Sequence, residues 1–368
     1  MSSPAIPKTF SLYLDVVRFG AACLVYLYHS NQRWLVEPIL PASQLGHSSV
    51  IVFFVLSGYV ITYVTATKER DWASFTASRL SRVYSVALPA LVLTVVLDSI
   101  GRQLLPDVYS GYPFDRFLPR IAGSLLMLNE AWFVSITSFS NVPYWSICYE
   151  FWYYVAFGAL VFLPRRKAWL VIAALALLLG PKLLLLAPVW AMGVVLYRWQ
   201  RLADISLRTA WVLVVGTVIG IACYLQLDVE HRAGAVFEAL VGKTRFIEFT
   251  FSRFFLGDYL LGLLVMLHFA GMRKVAPVVG QVLVVCERPI RLLAAYTFTL
   301  YLLHQPLFLF WGSVLRLDNK GYTAWLLTTL LVAASVGLIG AVTENRRRGL
   351  TAWIRRRLTG SRDHSYSV

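Results

Sequence analysis

Residues Leu12–Ser30 read LYLDVVRFGAACLVYLYHS, a run long and apolar enough to cross a bilayer as one helix. Inside it stand Arg18 near the start and His29 near the end. Their separation turns a helix through ~1100°, so the two side chains share a face to within ~20° and lie about 16 Å apart along the axis. Ionisable groups are costly inside a membrane, so this stripe demands partners within the protein and marks a candidate functional site.

The rest of the chain repeats the pattern. Its 368 residues are 58% hydrophobic and 14% charged, with a mean hydropathy of +0.65. Soluble domains carry roughly 25% charged residues, so the composition excludes one and indicates an integral membrane protein. Apolar segments at 12–31, 47–66, 83–103, 142–162, 168–181, 182–199, 209–226, 253–271, 291–314 and 322–343 predict an all-α, polytopic bundle of about ten spans. It forms one domain over 1–368, with a core at 10–345 and a basic tail at 346–368. Segment 117–134 is apolar although its flanks belong outside, which predicts a re-entrant or interfacial piece. Gly180-Pro181-Lys182 predicts a bent junction between the fifth and sixth segments.

The net charge of +15 is spread over short loops rather than massed in a patch, which excludes nucleic acid as a partner and leaves the lipid bilayer. With the N-terminus inside, 22 basic residues fall in inner segments and 11 in outer ones. This bias predicts cytoplasmic N- and C-termini in a plasma (inner) membrane, with the arginine-rich tail touching anionic head groups. Asp15 and Arg18 interrupt the first segment, which argues against a cleaved signal peptide. Cys23, Cys148, Cys223 and Cys286 lack metal-ligand spacing and read as reduced packing residues, so no metal and no tightly bound cofactor is expected.

Three constellations carry chemistry. Glu150, in YWSICYEFWYY, sits about two turns into its segment, at a depth similar to His29. The two could form a base and its orienter, the carboxylate fixing the imidazole tautomer. The plain alternative pairs Asp15 with Arg18 locally and leaves His29 at the interface. Arg79 and Arg82, in RLSR, follow Lys68 and Arg70 at the inner side and could grip a phosphate, or simply form a solvated basic loop. FFVLSGYVITY (53–63) offers no reactive group, but its Ser57-Gly58 pair permits close helix approach. His47 opens that segment. His304, in YLLHQP, precedes a proline expected to kink its helix and reads as structural.

In this order, Arg18-x10-His29, FFVLSGYVI with His47 ahead of it, RLSR, YWSICYE and YLLHQP resemble the membrane acyltransferase-3 family from Leu14 to about Glu344. The resemblance implies a helical fold of about ten spans and transfer of an acyl group, usually acetyl, from cytoplasmic acyl-CoA onto glycans. It implies that His29 is catalytic with Arg18 in support, that Arg79 and Arg82 contact the CoA phosphates, and that Glu150 is essential. Acetyl-CoA is then a donor substrate rather than a bound cofactor. The resemblance is to the stand-alone members acting on exopolysaccharide, O-antigen or lipid-linked sugars, for which no fused esterase-like domain is expected. Direct transfer and a covalent acyl-histidine both stay open. A secondary transporter would also use buried Arg, His and Glu, but no internal repeat is visible.

Overall fold

The computed structural model describes residues 6–34, 45–69, 71–316 and 321–360. Arg70 and the last eight residues of the basic tail lie outside the described residues. Among the described residues the chain is helical and forms no strand. Three long helices come first: α1 (Lys8–Trp34), α2 (Gly46–Thr67) and α3 (Trp72–Leu104). Then follow α4 (Phe117–Leu125), α5 (Trp145–Phe162), α6 (Arg165–Leu179), α7 (Pro181–Arg198), the single turn α8 (Gln200–Ala203) and α9 (Leu207–Gln226). The second half holds α10 (Val229–Val241), α11 (Lys243–Glu248), α12 (Phe255–Val279), α13 (Gln281–Val285), α14 (Glu287–Ala295), α15 (Thr297–Val314) and α16 (Tyr322–Thr359).

Helices occupy all ten expected segments, but among the described residues seven are long and apolar enough to cross a membrane: α1, α2, α3, α7, α9, α12 and α16. The bent pair α14–α15 makes an eighth if counted as one span. The count of ten therefore does not carry over. α6 has 15 residues, and the first half of α5 is rich in Ser, Glu, Tyr and Trp. The 53° bend in the ninth segment falls between α14 and α15, while Pro306 sits inside α15. Proline removes one helix donor. Here Asn141 Nδ2 donates to the freed Leu302 carbonyl at 2.8 Å.

Local chemistry explains the boundaries. Asp71 caps α3 by accepting from the Ser74 amide at 2.8 Å, and Ser206 caps α9 through Thr209. Gly180, at φ +76°, ends α6, and Pro181 opens α7 at once, as the Gly-Pro pair predicts. α16 runs on through ENRRR and WIRRR, because arginine and glutamate favour helix, and stops at Gly360 with φ +63°. The segment 117–134 becomes α4 followed by irregular chain folded into the protein. Its Glu130 is fully buried on Lys182 Nζ at 2.6 Å, and the same ammonium donates to the Val134 carbonyl at 2.6 Å. All four cysteines are free.

The tightest packing joins α2 to α7. A Cβ on Gly58 would collide with the Trp190 carbonyl oxygen, and one on Gly193 with the Val55 carbonyl oxygen, so Ser57-Gly58 does serve close approach. Contacts also sort the chain into two ends. Lys8 pairs with Glu287 at 2.6 Å, and Ser81 bonds Thr351 at 2.6 Å, gathering the RLSR turn of α3, which is helix rather than the solvated loop the sequence allowed, α14 and the last turns of α16 at one end. At the other, Trp325 donates to Ser30 at 2.9 Å and Ser48 to Glu230 at 3.3 Å.

Two outcomes are expected. Gly58→Ala should lower stability in detergent by about 1–3 kcal/mol, because backbone rather than a movable side chain blocks the new methyl; an unchanged thermal midpoint would contradict the close approach. With the four native cysteines replaced, single cysteines at Ser74 and Arg166 should label only from the cytoplasm and one at Ser110 only from outside. Labelling of Ser74 from outside would reverse the orientation drawn from the charge bias.

Candidate functional site: two chambers in one bundle

The five predicted site residues divide between two cavities. One, here the arginine chamber, is narrow at about 60 Å³ and is lined by Arg18, Arg79, Arg82, Ser57, Glu150 and Tyr154. The other, the histidine chamber, holds about 1050 Å³ and is lined by His29, His47, Trp145, Glu230 and Arg253, among others. Val50 and Tyr301 contribute to both walls and form the partition between them. The Tyr301 hydroxyl is tied to Ser146 at 2.6 Å, and its ring lies against Phe53 at 5.3 Å.

In the arginine chamber, α3 presents Arg79 and Arg82 on one face, as the i, i+3 spacing predicts. Their environments differ. Arg79 is buried and paired with Glu69 at 2.5 Å, and its guanidinium lies over the Phe75 and Tyr154 rings. Arg82 stands beside Tyr154, Glu150 and Glu344. From α1, Arg18 pairs with Asp15 at 2.9 Å, the local pairing that the i, i+3 spacing allows. Asp15 also takes an ion pair from Arg291. The Nε atoms of Arg18 and Arg79 are buried without a hydrogen-bond partner among the described residues. Three guanidiniums on one cavity, two of them with an unused donor, can hold a polyanion.

Glu150 departs from the expected base–orienter pair. Its Oε1 accepts from Ser57 at 2.5 Å and from Tyr154, one turn along α5. Its cationic neighbours are Arg82 and Arg18. It thus belongs to the arginine chamber, whereas His29 faces the other. The reason lies in the chain before α5. Ser138, Ser140 and Asn141 are fully buried, so α5 starts inside the protein, and a residue count from its start understates the depth of Glu150. Ser57, which offered no reactive group in sequence, proves to be that carboxylate's partner.

In the histidine chamber, His29 lies against the rings of Tyr28 and His304, each at 5.1 Å. His47 Nε2 meets both oxygens of Asp258, at 3.0 and 3.2 Å. Asp258 is fully buried near the start of α12. Sequence reasoning missed this imidazole–carboxylate pair; the available signal was a lone acid in an otherwise apolar segment. Aromatic faces line the same space, with Trp145 stacked on Phe251 at 4.2 Å. The chamber can seat a polar ring against aromatic walls and present a hydroxyl to an imidazole.

Comparisons with known proteins give the family. The family model described as an acyltransferase domain matches residues 11–344. The chain is 28% identical over 176 residues to acyltransferase MdmB of Streptomyces mycarofaciens, covering 44% of this chain and 43% of that protein. It is 30% identical over 166 residues to the O-acetyl transferase of Shigella phage Sf6, covering 43% of this chain and 48% of that protein. The matches therefore span under half the length of each relative. No solved structure matches the chain. The family match takes in α1 through the middle of α16, with both chambers inside it, and the chain belongs to the acyltransferase-3 family.

Proposed function

We propose that the protein transfers an acyl group, acetyl by family resemblance, from cytoplasmic acyl-CoA across the plasma membrane to a hydroxyl of a surface or lipid-linked glycan. The observation that carries this reading is the pair of chambers sharing one partition, arginines on one side and His29 on the other. Acyl-CoA is a polyanion that cannot cross a bilayer, while its acyl-pantetheine arm is neutral. Arg82 and Arg18 hold the phosphates, and the arm extends toward Val50 and Tyr301. A cavity of about 60 Å³ admits such an arm only when side chains such as Phe53 and Tyr301 turn aside. Donor binding and opening of the partition are then one event.

A sugar hydroxyl arriving through the histidine chamber meets the thioester carbonyl at the partition. His29 takes the hydroxyl proton as the oxygen attacks, and returns it to the departing CoA sulfur. Glu150 acts on the donor side: through Ser57 and Tyr154 it fixes the wall of the arginine chamber and balances Arg82 and Arg18. Arg79 is partly neutralised by Glu69, which leaves Arg82 as the stronger phosphate ligand of the two. The family membership and the RLSR arginines facing one chamber with Arg18 favour this reading over a transporter.

Two sets of variants test it. His29→Ala and His29→Gln should lower turnover ~10²–10⁴-fold, the usual weight of a general base, while binding of acetyl-CoA by calorimetry stays intact. Near-normal turnover of His29→Ala would remove His29 from the chemistry. Arg82→Ala should weaken acetyl-CoA binding more than Arg79→Ala does, and Arg82→Lys should restore only part of it, because an ammonium lacks the planar fork. Arg79→Ala should instead lower the thermal midpoint by leaving Glu69 buried and unpaired. Unchanged donor affinity in an Arg79→Ala/Arg82→Ala double variant would place the nucleotide elsewhere. Loss of one acyl mass from surface glycans on deletion of the gene would identify the acceptor.

A further inference from the structure

We propose that His304 is the positioning residue of His29: its Nε2 accepts the N–H of His29 and so turns the other His29 nitrogen, as a lone pair, into the histidine chamber. This rests on the role proposed for His29 and assigns the orienting task, expected of Glu150 from sequence, to a second imidazole.

His304 is fully buried in α15. Its Nδ1 lies 2.8 Å from the Tyr301 carbonyl and 3.1 Å from the Leu300 carbonyl. Both are acceptors, so Nδ1 carries the ring proton and donates. In a neutral imidazole Nε2 is then a lone-pair acceptor. That Nε2 is buried with no hydrogen-bond partner among the described residues. A buried acceptor left bare is unfavourable and calls for a donor.

Among the described residues, the neighbouring aromatic hydroxyls are already engaged. Tyr26, edge-on to His304 at 6.2 Å, has its hydroxyl on Thr329 at 2.6 Å. Tyr301, at 6.3 Å, has its hydroxyl on Ser146. Of the described rings against it, His29 remains, 5.1 Å away and tilted by 40°, a spacing from which a small rotation about its side-chain bonds closes an N–H···N contact. His29 lines the histidine chamber; His304 stands behind it.

Proton bookkeeping follows. In the resting site His29 carries one proton, on the nitrogen facing His304. When the acceptor oxygen bonds to the thioester carbon, the hydroxyl proton moves to the chamber-facing nitrogen of His29. The resulting imidazolium keeps its bond to His304 Nε2, now charge-assisted and stronger. As the carbon–sulfur bond breaks, the proton passes to the CoA sulfur. His304 keeps its own proton throughout and touches neither substrate.

Two variants separate positioning from packing. In His304→Asn the amide can still donate to the Leu300 and Tyr301 carbonyls, but nothing occupies the place of Nε2. In His304→Gln the longer amide returns an acceptor to that place. Activity is read as transfer of label from acetyl-labelled acetyl-CoA to the glycans of native membranes. His304→Asn should lose at least about a hundredfold in kcat with KM for acetyl-CoA and the thermal midpoint unchanged, and His304→Gln should recover a tenth or more of the wild-type rate. Nitrogen-15 spectra of the purified chain, labelled at histidine, should show His29 in a single tautomer that becomes a mixture in His304→Asn. A His304→Asn enzyme of normal kcat, or equal loss in both variants with a fallen midpoint, would overturn the proposal. Should His29→Ala prove active, the reading of His29 as base fails, whereas the tautomer measurement still decides whether His304 orients it.

Discussion

A charge within an apolar bundle has to find its counter-charge inside the protein, and this condition organises the molecule. Glu69 meets Arg79 across the turn between α2 and α3. Glu130 meets Lys182 between the irregular segment and α7. Asp15 joins α1 to α14 through Arg291, and Asp258 joins α12 to α2 through His47. Each pair ties elements that the sequence leaves separate. Removing one member strands the other in low dielectric, which costs more than the pair contributes as a pair. The ion pairs thus act as register marks for helices whose apolar faces would otherwise slide.

This condition also separates the two chambers. Carboxylates compensate the arginine side incompletely, leaving buried guanidinium donors free. On the histidine side Asp258 is fully buried beneath His47. The partition between them is neutral, built from Val50 and the Tyr301–Ser146 pair. In the proposed reaction, polyanion and sugar would each face a wall suited to it, with the thin partition where a neutral chain would pass.

The sequence disclosed the helices, the Arg18–His29 stripe and the shared face of Arg79 and Arg82, because each depends on spacing along one helix. It disclosed the Asp15–Arg18 pair for the same reason. What it did not disclose depends on folding between helices. Ser57 finds Glu150 only because α2 lies against α5. His304 finds His29 because α15 lies beside α1. A residue count misjudges the depth of Glu150 because the buried irregular segment before Trp145 has no periodicity to announce it. Of the ten expected segments, α6 fell short in length and α5 in apolarity.

α16 reaches from Trp325, bonded to Ser30 at one end of the bundle, to Thr351, bonded to Ser81 at the other. One unbroken helix of 38 residues, about 57 Å long at 1.5 Å per residue, therefore fixes Arg347 beside Arg82 by angular phase. Each residue added or removed between those two anchors would swing the arginine by about 100°. The helix is consequently constrained in length rather than in composition between those anchors: even a whole added turn, which restores the angle, would shift the arginine by about 5.4 Å along the axis.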